Sequence, residues 1–138
     1  MRRLQLQLGF TLLEIMVVVF ILGLLATLVT AKIMDSAAKA KRTKAAADVK
    51  TIAESVHMFK LDTGFYPSTA DGLQLLVAPA GKAPNANPGG YLAKVPIDPW
   101  GNPYVYFGDA TTFIVKSHAA DGREGGEGDA TDIVSEDL

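Results

Sequence analysis

FTLLEIMVVVFILGLLATLVTA, residues 10–31, is a run of 22 residues with one ionisable side chain, Glu14. A helix of this length, rising about 1.5 Å per residue, reaches across the roughly 30 Å hydrocarbon core of a bilayer. The run holds no proline, and its glycine, Gly23, is tolerated in a lipid-embedded helix. It reads as a membrane-spanning helix. In front of it lies MRRLQLQLG, residues 1–9, a short polar leader with Arg2 and Arg3. A secretory signal has its small-residue cleavage site after the apolar stretch. No such site follows here and the helical pattern continues, so any cut falls before the run and leaves it as an anchor.

Working outward, the helical pattern extends to about Leu61. Ala45, Val49, Ile52, Val56 and Phe59 step by four, three, four and three and line one apolar face, while Lys44, Asp48, Lys50, Glu54 and Lys60 fall off it. A membrane helix running into an amphipathic one without a break predicts one long helix of about 50 residues, roughly 75 Å. Its outer part, residues 32–61, is stable only where its stripe packs on a head. Thr63-Gly64 ends it and Pro67 prevents resumption. In the head, residues 62–138, Ser68 or Thr69 is expected to cap a short helix reaching about Val77. A proline- and glycine-rich loop (residues 78–90) and the turn-forming PIDPWGNP (residues 96–103) follow. Residues 104–107 and 113–117 read as an antiparallel hairpin, and Ile133-Val134 as a last short strand. Trp100, Tyr104 and Phe113 are expected in the head core or packing its turns, and His57 on a surface or in a groove.

Composition narrows the function. The 138 residues contain no cysteine, which excludes a disulfide scaffold, a thiolate metal site and a cysteine nucleophile. His57 and His118 are too far apart in sequence to suggest a catalytic set, and no enzyme is expected. Net charge is −2, but residues 1–61 carry +5 and residues 62–138 carry −7. A basic stem and an acidic head can pair between copies packed side by side; a solvated basic face beside an acidic loop explains the same numbers. The cluster Lys39, Lys41, Arg42 and Lys44 comes without an aromatic platform or base-reading module, so nucleic acid is not expected as a partner. Those lysines follow the apolar run, so a literal positive-inside count weakly favours keeping the head inside.

Two constellations carry chemistry. Gly9-Phe10-Thr11-Leu12-Leu13-Glu14 heads the apolar helix. A carboxylate at this depth is costly, about 2.5–3.5 kcal/mol at a bilayer centre and less near an end. Cleavage between Gly9 and Phe10 would create a counter-ion, the new α-amino group of Phe10, which meets Glu14 most readily from a neighbouring copy shifted along the axis. The second is the loop holding Asp121, Glu124, Glu127, Asp129 and Asp132 with four interleaved glycines. Carboxylates and inward-turned carbonyls suit Ca²⁺, which takes six to eight oxygens at about 2.3–2.6 Å. The spacing matches neither an EF-hand nor the repeat-type GGxGxD motif, so composition leaves Ca²⁺ and a plain solvated loop both open.

GFTLLEIMVVVFILGLLA resembles the signal segment of the type IV pilin superfamily. KLDTGFYPSTADGLQLLV, GGYLAKVPIDPWGNPYVY and ADGREGGEGDATDI narrow the resemblance to the major pseudopilins of the type II secretion system, over nearly the whole chain. The resemblance implies an α+β, pilin-like fold: a long N-terminal membrane and amphipathic α-helix packed on a small antiparallel β-sheet head with a calcium-type C-terminal loop. It implies leader removal after Gly9 by a prepilin peptidase, N-methylation of Phe10, an assembly role for Glu14, and a periplasmic homopolymer that drives export of folded proteins across the outer membrane. The implied location is the inner membrane, single-pass, with the head in the periplasm, against the charge count. Implied partners are further copies, minor pseudopilins and an inner-membrane secretion platform.

The resemblance also implies a structural Ca²⁺ held by Asp121 and Asp132, with Asp129 as a third carboxylate and the backbone of His118, Arg123 and Gly126. Two departures stand out: the usual proline about twenty residues into the mature helix is replaced by LVTAK (residues 28–32), and the chain ends IVSEDL without the usual aromatic. The alternatives are a type IV pilin or DNA-uptake pseudopilin, against which the missing C-terminal cysteine pair argues, and a monomeric membrane-anchored calcium-binding module.

Overall fold

A computed structural model describes residues 9–79 and 81–138, so the leader lies outside the described residues except for Gly9. The elements run α1 (Leu12–Thr63), α2 (Gln74–Val77), β1 (Val105–Gly108), β2 (Phe113–Ser117) and β3 (Ile133–Val134), with single 3-10 turns at Gly128–Ala130 and Ser135–Asp137. Contacts divide the chain into two units, Met1–Ala37 and Ala38–Leu138.

In the first unit, α1 is capped by Thr11, whose Oγ1 accepts the Glu14 N–H at 3.1 Å. The apolar side chains that follow lie open, Leu12 being 80% and Phe20 73% exposed. The stretch is long and apolar enough to cross a membrane.

The second unit supplies the core. Ala45, Val49, Ile52, Val56 and Phe59 are all buried, as the four-three spacing demands. They join Leu73, Leu75, Leu76, Tyr104, Tyr106, Val115 and Ile133 in one cluster. The three-stranded sheet has the order β1-β2-β3 and is antiparallel throughout, with Tyr106 opposite Val115 and Ser117 opposite Ile133. Two-residue alternation turns Tyr104, Tyr106, Val115 and Ser117 inward. The buried phenols find acceptors: Tyr106 donates to the Pro67 carbonyl at 2.8 Å and Tyr104 to Asp48 at 2.9 Å, the latter carboxylate also pairing with Lys44. Trp100 and Phe113 are half-buried against this core, and exposed His57 sets its ring edge-on to Phe113.

One expectation needs correction. No helix starts at Ser68 or Thr69; residues 69–73 form turns and the helix is the four-residue α2 alone. Ser68 hydrogen-bonds Asp71 instead, and Gly72, with φ +60°, breaks a right-handed helix at that point.

The PIDPWGNP turn folds around Asp98, a buried carboxylate that accepts the N–H of Trp100 (3.0 Å), the N–H of Asn102 (2.8 Å) and the hydroxyl of Ser117 (2.8 Å). Ser117 Oγ in turn accepts the N–H of Ala119, whose φ of +51° is left-handed and strained for an alanine. The head of the acidic loop is thereby tied to the turn.

Candidate functional site

Two places gather the residues that the sequence singles out. The first is the start of α1. Thr11-Leu12-Leu13-Glu14 has the T-x-x-E form of a capping box, and the Thr11 half of that box is made. Glu14 thus sits on the helix's third residue, exposed, and its carboxylate has no cationic partner among the described residues. Gly9 and Phe10 precede the helix, both exposed. A carboxylate on an otherwise apolar face has a single evident chemical need, a counter-ion from outside its own helix.

The second place is the loop between β2 and β3. Asp132 lies at its end, with its side chain 13% exposed; Oδ2 accepts the Gly125 N–H at 3.1 Å. Its Oδ1 and the Nδ1 of His118, 3.4 Å apart, are buried and without a hydrogen bond. Asp121 is exposed and holds an Asx turn, accepting the Arg123 N–H at 3.1 Å. The Asp129 side chain points to solvent while its carbonyl accepts from Arg42 Nη1 at 3.0 Å; the same nitrogen reaches the Thr131 carbonyl at 2.8 Å. Glu124 pairs with Lys116, and that hydrogen bond holds its carboxyl below the usual carboxylate range. Gly126, at φ +94°, lies so close to the Ala130 carbonyl that any Cβ would collide with it.

Structure thus brings His118 and Asp132 together but leaves Asp121 and Asp129 apart: among the described residues no three acidic or imidazole groups converge as a metal set. The donor chemistry still fits a hard cation, since a buried carboxylate oxygen without a partner is what such an ion satisfies. Sequence reasoning missed three residues. Thr11 was legible from the T-x-x-E spacing. Asp98 was hidden among prolines, and nothing in the basic cluster distinguished Arg42 from its neighbours.

The sequence matches the family described as Type II secretion system (T2SS), protein G over residues 32–136. The chain belongs to that family. The prokaryotic N-terminal methylation motif matches residues 4–30. The chain is 51% identical over 132 residues to the type II secretion system core protein G of Pseudomonas aeruginosa, covering 92% of this chain and 93% of that protein. The Vibrio cholerae core protein G is 45% identical over 137 residues, covering 96% and 94%. A crystal structure of the major pseudopilin from the type 2 secretion system of enterohaemorrhagic Escherichia coli superposes with a TM-score of 0.60 at 29% identity, covering 74% of this chain and 87% of that one. The chain is therefore a pilin-like α+β subunit with a major pseudopilin role, a membrane-anchored component of type II secretion that assembles with other secretion components.

Proposed function

We propose that this pseudopilin is stored singly in the inner membrane with its head in the periplasm, and that copies are drawn from there into a fibre that pushes folded proteins through the outer membrane. Prepilin peptidase removes residues 1–9 after Gly9, and Phe10 is then N-methylated. Minor pseudopilins and an inner-membrane platform are the other parts of the machine.

The observation that carries this reading is the open apolar face of α1 bearing a carboxylate, Glu14, with no cationic partner among the described residues. Lipid tails solvate leucine as well as protein does, so packing between stems has no hydrophobic drive while they remain in the bilayer. The charge makes the difference. An ionised Glu14 is penalised among lipid tails, and the α-amine exposed on Phe10 of an adjacent copy relieves that penalty in one axial register only. Register and growth thereby follow from a single pair. In the loop, the reading includes a structural Ca²⁺ held by the Asp132 and Asp121 carboxylates, with Asp129 the least favourably placed, and by carbonyls of His118, Arg123 and Gly126. Bound there, the cation would neutralise crowded carboxylates and fix the connection into β3, so that metal affinity adds to the stability of the head.

The test is Glu14→Ala in a secreting strain. Membrane insertion should be unchanged while the yield of sheared fibre falls below detection. A normal fibre yield would refute the pairing.

A further inference from the structure

Arg42 stands out from the basic cluster of α1 because it alone in that cluster reaches the acidic loop, donating to the Asp129 and Thr131 carbonyls. The neighbouring carbonyls are also engaged. Glu127 accepts the Ala130 N–H at 3.1 Å, Gly128 accepts the Thr131 N–H at 3.2 Å, and the Ala130 carbonyl is pressed against Gly126. In the 127–131 arm the carbonyls of Glu127, Gly128, Asp129 and Thr131 thus all accept hydrogen bonds. On the opposite arm the carbonyls of His118, Arg123 and Gly126 accept no hydrogen bond among the described residues. Arg42 also lines a groove of about 410 Å³ with Thr43, Ala46, Asp132, Ile133 and Val134, so the helix face and the buried Asp132 share one wall.

We propose that Arg42 is the positioning residue of the loop. Its guanidinium holds the 127–131 arm against α1, leaves the 118–126 arm to supply the backbone oxygens for a Ca²⁺, and couples metal binding to α1. This rests on the calcium reading above. Geometry and charge predict opposite signs here, which makes the assignment testable. As a bare positive charge, Arg42 would repel Ca²⁺, and its removal would tighten binding. As the group that places the arm, its removal loosens binding. Lysine keeps the charge, but its ammonium ends one bond short of the Nη1 that serves both carbonyls and lacks the rigid guanidinium plane that aims it.

The experiment is calorimetric titration of the full chain in detergent micelles with CaCl₂ after chelation, together with hydrogen exchange with and without Ca²⁺. Arg42→Ala should weaken affinity about tenfold, the lower end of what a single hydrogen bond from a charged donor supplies. Arg42→Lys should weaken it severalfold at unchanged charge. In the wild type, Ca²⁺ should slow exchange of α1 amides around residues 42–46, and in Arg42→Ala it should not. Arg42→Lys binding like the wild type, Arg42→Ala binding as tightly or more tightly, or equal protection of α1 in wild type and variant would each overturn the assignment. A wild-type chain that shows neither binding heat nor a drop in melting temperature on chelation would defeat the calcium reading itself, and the positioning role with it.

Discussion

Replacing Asp98 by alanine removes the centre of the PIDPWGNP turn. The carboxylate accepts three hydrogen bonds, from two backbone N–H groups and from the fully buried Ser117. Bonds to an ionised acceptor contribute about 1.5–3 kcal/mol each. Their sum overstates the loss, because deleting the side chain also removes the desolvation of a buried charge and lets the turn relax. We expect about 3–4 kcal/mol of destabilisation. For a unit of this size a loss of 1 kcal/mol lowers the melting temperature by about 4 °C or more, so the midpoint should fall by at least about 12 °C. The assay is thermal denaturation of the full chain in detergent, followed by near-ultraviolet dichroism. Ser117→Ala should be non-additive with Asp98→Ala by about 1 kcal/mol or more, since both remove one bond. A variant within 1 kcal/mol of the wild type would refute the view that this carboxylate organises the turn.

Phe59→Ala should cost about 3–5 kcal/mol by the same assay, because the ring is fully buried and meets Phe65 and Tyr91 edge-on; a change under 1 kcal/mol would place the core elsewhere. Stability should also depend on pH at both ends. Backbone hydrogen bonds from Thr111 and Thr112 hold Asp109 below the usual carboxylate range, and Lys82 does the same for Asp71. Depressed values stabilise above the unfolded carboxylate pKa, so that contribution fades as pH falls below about 4. Asp109→Asn should flatten the acid limb of the melting profile; parallel limbs would contradict this. Burial, reinforced by the bond to Asp48, raises the pKa of Tyr104, and burial likewise raises that of Tyr106. Raised values stabilise below the unfolded tyrosine pKa, so this contribution is lost as pH climbs beyond about 10, and Tyr104→Phe should weaken that alkaline loss.

What the sequence disclosed follows from the range of the interactions. Ala45, Val49, Ile52, Val56 and Phe59 announce a buried stripe because a helix repeats every few residues, and all five are buried. The hairpin and the Ile133–Val134 strand were readable for the same local reason. The helix expected after Ser68 was not formed, since the Asp71-Gly72 turn overrides a permissive cap. Long-range contacts escaped. Arg42 meets Asp129 across 87 positions, and nothing near either residue signals the other. Similarly, the resemblance implied three carboxylates around one ion in the loop, whereas among the described residues only His118 and Asp132 come together there.

The central claim is that Glu14 finds its cation on another copy. Zero-length carbodiimide coupling of fibres assembled from mixed light and heavy isotope-labelled subunits, read by mass spectrometry, tests it most directly. The expected product is an amide between the Phe10 α-amine of one label and the Glu14 carboxylate of the other. Phe10–Glu14 links confined to a single label, or no such link in intact fibres, would contradict it.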